Sequence, residues 1–126
     1  IGINDPKMAH EKSVKNSTII NKELEISNYN KDLFSILLSH RPEVFRTYVE
    51  NNIDLVLTGH AHGGQIRIPF IGGIVAPNQG LFPKYTSGLF TENNTNMIIS
   101  RGIGNSIIPF RINNRPELVV ITLKTN

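Results

Sequence analysis

The feature that most constrains this chain is a pair of apolar runs flanking one amphipathic stretch. The first run, "LFSILLSH", is continuously apolar from Leu33 to Leu38 apart from Ser35. The second, "IDLVLTG", ends at Gly59. Between them "PEVFRTYVENN" places Val44, Phe45, Tyr48 and Val49 on one helical stripe, with Pro42 suited to a first turn. Asn51 and Asn52 can close that helix. Strand, helix and strand joined by short connections predict a βαβ unit with parallel strands. Near-continuous apolar strands suit a sheet covered on both faces.

The remaining segments fit around that unit. Residues 1–3, "IGI", read as a short strand, and residues 5–16 as a polar loop. "STIINKELEIS" offers Ser17 or Thr18 as N-cap of a helix running to about Ile26. A Gly- and Pro-rich stretch follows Gly64, with a short strand at 65–68. "SGLFTENNTNMIIS" predicts a hairpin, "RGIGNSIIPF" a loop, and "PELVVITLK" a closing strand. The expected class is α/β, a mixed sheet with one βαβ unit and C-terminal antiparallel strands. No repeat or linker divides residues 1–126, which read as one domain.

"GHAHGGQ", Gly59 to Gln65, then carries the chemistry. His40 follows the first predicted strand and His60 the second, so both leave the sheet at its carboxyl edge, where open α/β sheets place ligand sites. Neighbouring strands lie about 4.8 Å apart, close enough for the two side chains to converge. His62 returns to the same side if the backbone stays extended. Three neutral imidazoles suit Zn, Mn, Fe or Ni. A lone histidine is more often structural, and His10 in its polar loop is read that way. The chain has no cysteine, which excludes disulfides and thiolate-bound zinc. Its net charge of +3 is spread without Lys/Arg clusters, so there is no nucleic-acid signal. No apolar run approaches the roughly 18 residues of a membrane helix.

"ILLSHRPE", "DLVLTGHAHGGQIRIP" and "SRGIGNSIIPFRINNRPELVVITL" together resemble the C-terminal half of calcineurin-like metallophosphoesterases. The nearest likeness is to the bacterial branch with membrane-associated phosphodiesterases and UDP-diacylglucosamine pyrophosphatase-like enzymes. The resemblance implies a four-layer αββα sandwich and two divalent metal ions (Mn, Zn, Fe or Ni). It also implies that His40 and His60 share one metal while His62 binds the other. Two such ions, about 3.5–4 Å apart, clamp the attacking and leaving oxygens. The implied substrate is a small phosphoester or a nucleotide-lipid-like molecule. The implied location is cytoplasmic or membrane-associated in a bacterium.

The family's Asp-x-His, Gly-Asp-x-x-Asp and Gly-Asn-His motifs do not occur here. The chain therefore reads as a second half, inactive alone, with its first half or a second copy of the chain as partner. Arg101, in "SRGIGNS", and Asn78 are candidate substrate contacts, with Arg41, Gln79 and Tyr85 behind them; Asp54 and Asp5 read as structural or ambiguous. The "FPKY" and "IPFIGG" side chains are expected to pack the loop rather than meet a lipid tail. Two other readings stay open: a one-metal, three-His hydrolytic or hydratase-like enzyme, and a non-catalytic metal-binding or assembly domain.

Overall fold

A computed structural model describes residues 1–6, 14–104 and 110–125. His10 lies outside these residues. The elements are α1 (Asn16–Ser27), β1 (Ile36–Leu38), a 3-10 turn (Pro42–Val44), α2 (Phe45–Glu50), β2 (Leu55–Thr58), a second 3-10 turn (His62–Gly64), β3 (Arg67–Ile68), β4 (Gly72–Gly73), β5 (Val75–Ala76), β6 (Gly80–Leu81), β7 (Gly88–Glu92) and β8 (Thr95–Ile99).

The main sheet has the order β1-β2-β8-β7. β1 pairs with β2, and β2 with β8, in parallel. β7 and β8 form the expected antiparallel hairpin around Asn93 and Asn94. Asn93 adopts φ 52°, a conformation asparagine tolerates in tight hairpin turns. The architecture is therefore mixed α/β, with the βαβ unit as its parallel part. Residues 1–3 add a single parallel bridge, Gly2 to Leu38, at the β1 edge.

Register explains the core. Leu37, Val56, Met97 and Phe90 lie opposite one another across the four strands. The first three are fully buried, and Phe90 packs against the cluster they form with Ile20 and Leu24 of α1 and Phe45, Tyr48 and Val49 of α2. The alternate row, Leu38, Leu57, Ile98 and Leu89, points the other way, and its two end members are exposed. Burying one such aliphatic side chain contributes roughly 1.5–3 kcal/mol, so the helix-covered face dominates the stability of the sheet.

Several boundaries differ from expectation. The first strand begins at Ile36, and Leu33 and Phe34 are exposed before it. Ser35 ends the apolar run by donating its N–H and hydroxyl to the Asp54 carboxylate, at 2.8 and 2.9 Å. Asp54 is thus structural. The N-cap of α1 is Lys15, without a side-chain bond, because Thr18 and Ile19 both donate to the Lys15 carbonyl and close the turn early.

The expected strand at "PELVVITLK" does not form. Leu118, Val120 and Leu123 are exposed there. A β-branched apolar run confers a capacity for pairing, but both sides of β8 are already taken by β2 and β7. The Gly- and Pro-rich stretch holds two small hairpins, β3–β4 and β5–β6, where one strand was expected. Of the side chains in "FPKY" and "IPFIGG" expected to pack, Phe70, Ile71 and Phe82 are exposed while Tyr85 packs against the core. No described helix is long and apolar enough to cross a membrane.

Candidate functional site

Both strands of the βαβ unit end two residues before a histidine. β1 ends at Leu38 and β2 at Thr58, so His40 and His60 emerge side by side. Their ring centroids are 4.2 Å apart with planes tilted by 48°. The parallel register delivers this proximity, since Leu38 lies opposite Leu57.

Arg41 is almost wholly buried, at 1 % exposure. It stands at the N-cap position of the 3-10 turn, but its side chain makes no cap bond and does not face solvent. Its guanidinium donates to Asp5 (2.9 and 2.5 Å) and to Glu43 (3.4 Å). One arm also lies 3.4 Å from His60 Nε2. The Asn78 amide nitrogen lies 3.3 Å from the same His60 atom. A guanidinium can only donate, so the lone pair of Nε2 faces it. Asp5 approaches His40 as well, at 3.7 Å from Nε2.

His62 is reached through a different backbone from the extended one expected. His60, His62 and Gln65 take φ of 63°, 45° and 49°, alongside Gly63 at 68° and Gly64 at 76°. Ala61 between the two histidines is right-handed helical. Left-handed geometry costs a non-glycine residue about 1–2 kcal/mol, so the surrounding contacts must hold this loop in place. Asn114 does so, donating from Nδ2 to the His62 carbonyl (2.6 Å) and the Gln65 carbonyl (3.2 Å). Arg67 donates to the Gly63 carbonyl at 2.9 Å. The His62 Nδ1 atom is buried without a hydrogen-bond partner. No local pattern marks Asn114; in sequence it is a lone asparagine beside a turn, indistinguishable from a solvated one.

Donor chemistry here fits a divalent cation in part. The His60 Nε2 lone pair, which faces Arg41 and Asn78, and the orphaned His62 Nδ1 are nitrogens a cation could take. Among the described residues, however, no group of three or more His, Cys, Asp or Glu is placed to hold a metal ion. The structure brings His40, His60 and Asn78 together and holds His62 on the adjoining turn.

Other expected contacts are engaged internally. Gln79 exchanges two bonds with the Tyr85 backbone, at 2.8 and 3.0 Å, and Tyr85 packs edge-on against Phe45 and Phe90. Arg101 binds Glu117 through its side chain and its backbone N–H, both at 3.0 Å. Burial, then the neighbouring Arg101 charge, lowers the Arg67 guanidinium from its ordinary value.

The Arg101 hydrogen bonds, side chain first and backbone second, hold the Glu117 carboxyl below its ordinary value of 4.5. A depressed carboxyl contributes stability above its unfolded pKa and loses it as pH falls through the folded one. Unfolding midpoints in urea should therefore drop, as pH falls below the ordinary carboxyl value of 4.5, more steeply for the native chain than for Glu117→Gln. Parallel curves for the two would refute the linkage.

No family model matches the chain, and no solved structure matches it. Curated relatives do. The metallophosphoesterase YkuE of Bacillus subtilis is 39% identical over 100 residues, covering 79% of this chain and 34% of YkuE. Phosphodiesterase YaeI of Escherichia coli is 34% identical over 88 residues, 70% of this chain and 32% of YaeI. UDP-2,3-diacylglucosamine pyrophosphatase LpxG of Chlamydia muridarum is 30% identical over 117 residues, 78% of this chain and 36% of LpxG. The chain spans about a third of the length of these relatives.

Proposed function

This chain belongs with the metallophosphoesterases, and from that kinship we propose that the whole protein hydrolyses phosphoester or pyrophosphate bonds with divalent metal ions. In this reading His40, His60 and His62 are metal ligands supplied by this chain, and two ions are bound in all. The observation that carries it is the His40–His60 pair, 4.2 Å apart at the ends of adjacent parallel strands. The metal would polarise a phosphoryl oxygen and lower the pKa of a bound water.

The chain's own residues orient these imidazoles. Arg41, anchored by Asp5 and Glu43, and Asn78 both contact His60. Asn78 is also the substrate contact best placed beside the pair. Arg101 can receive a substrate anion by releasing the Glu117 carboxylate, a bidentate exchange open to a guanidinium. The LpxG relatives favour a lipid-linked diphosphate as substrate, drawn to a chain whose net charge is +3. A four-layer αββα sandwich would follow from a second sheet packing on the exposed row of Leu38 and Leu89, supplied by the rest of the protein or a second copy.

The test is hydrolysis of bis-p-nitrophenyl phosphate with manganese. The full-length protein should turn over, and His60→Ala should lower its rate at least about 100-fold, as removal of a metal ligand does. Residues 1–126 alone should be nearly inactive. Robust turnover by that segment with one bound metal would favour a three-His, one-metal enzyme. No tight metal and no turnover in the full-length protein would leave an assembly domain.

A further inference from the structure

Asn114 stands apart from every residue so far given a catalytic or metal role. It is 2 % exposed, yet it sits 49 and 52 positions along the chain from the carbonyls it binds. Those two carbonyls, of His62 and Gln65, bracket the Gly63–Gly64 turn. Both are acceptors, which fixes the side-chain amide with Nδ2 on the two carbonyls and Oδ1 on its other side, beside Gly63. Oδ1 is buried without a partner and lies 2.3 Å from where a Cβ on Gly63 would stand. Side chain and glycine are therefore fitted to each other: the space left by the missing Cβ is where the asparagine sits.

The residues on either side of that contact are held in left-handed backbone, which free chains seldom occupy. His62 Nδ1 is buried without a hydrogen-bond partner, so no bond at that atom fixes the ring. A bond of 2.6 Å to the carbonyl of that same residue is the nearest fixed point.

We propose that Asn114 is a positioning residue for the histidine turn, setting the direction of the His62 imidazole through the main chain it clamps. The proposal rests on the reading that His62 binds metal, but its first test does not. Amide hydrogen exchange of Gly64 and Gln65, in the metal-free full-length protein, should speed up at least tenfold in Asn114→Ala. Amides of Val56 and Ile98 in the central strands should be unchanged. Uniform acceleration would mean a merely structural role, and no acceleration would mean no clamp; either overturns the proposal.

The second test is calorimetric titration with manganese. Asn114→Ala should weaken binding by about 10- to 100-fold, the usual effect of removing an outer-shell partner. Arg46→Met, at the solvated pair with Glu50, should stay within about twofold. His62→Ala separates the two readings. If it leaves affinity intact, the metal assignment fails, and the clamp is judged by exchange alone. If it abolishes binding while Asn114→Ala does not, the positioning role fails. Should Asn114→Ala not fold, Asn114→Asp, which keeps the volume and removes the donors, carries the same expectations. In the unaltered protein the Asn114 side-chain amide protons must exchange slowly, and fast exchange there refutes the clamp without any variant.

Discussion

Replacing Arg41 with methionine is expected to destabilise the fold by about 3–5 kcal/mol, the usual cost of removing one partner from a buried ion pair. Methionine keeps much of the volume and removes the charge. Arg41 is 1 % exposed, and its partners Asp5 and Glu43 are 22 % and 12 % exposed at their side chains. Without the guanidinium, two carboxylates remain in a poorly solvated place with one cation fewer. Glu43 Oε2 is already buried and unpartnered, so nothing nearby takes up the loss. The same substitution frees one contact of His60. Arg46→Met, at a solvated i,i+4 pair with Glu50, is the control and should cost no more than about 0.5 kcal/mol. Urea midpoints measure both. Arg41→Met combined with Asp5→Asn and Glu43→Gln should recover most of the loss. A penalty near that of Arg46→Met would mean that water already reaches the pair.

The second large effect is expected at Gly64. Its φ of 76° disfavours any side chain, and a Cβ there would stand 2.5 Å from the Gly73 Cα and 3.0 Å from the Gly73 carbonyl carbon. Both obstacles are backbone, so neither can rotate away. Left-handed strain of about 1 kcal/mol and overpacking of about 1–3 kcal/mol together predict a loss of about 3 kcal/mol for Gly64→Ala. Gly80→Ala isolates the first part. Gly80 has φ 70° but nothing within 4 Å of its Cβ position, so about 1 kcal/mol is expected. Equal losses at the two sites would show that the Gly64–Gly73 contact relaxes.

Arg41 meets Asp5 from 36 positions away, and Gly64 meets Gly73 across turns that no apolar period marks; neither contact is visible in a local pattern. Apolar continuity and helical period sufficed for β1, α2 and β2, because those patterns are local and each is satisfied within about ten residues. Parallel pairing followed from the short crossover, and with it the meeting of His40 and His60. The hairpin of β7 and β8 was legible for the same reason, through its two-asparagine turn. Family likeness was legible too, in "GHAHGGQ" and the segments around it, and the metallophosphoesterase relatives agree with it.

Other features needed the tertiary structure. "PELVVITLK" has a strand's β-branched apolar run, but whether a strand forms depends on a free edge, and the sides of β8 were filled by β2 and β7. Arg41 looked like any arginine at a helix start; its burial follows from Asp5, 36 residues away, reaching the same point. The turn at His62 was expected to be extended, because no local signal marks three non-glycine residues as left-handed. Asn114 and Arg67 make that conformation tenable from outside the motif. Local pattern thus determined which residues form the sheet and where its carboxyl edge lies. The direction in which the imidazoles point was decided by long-range hydrogen bonds, whose energy exists only once the chain has closed on itself.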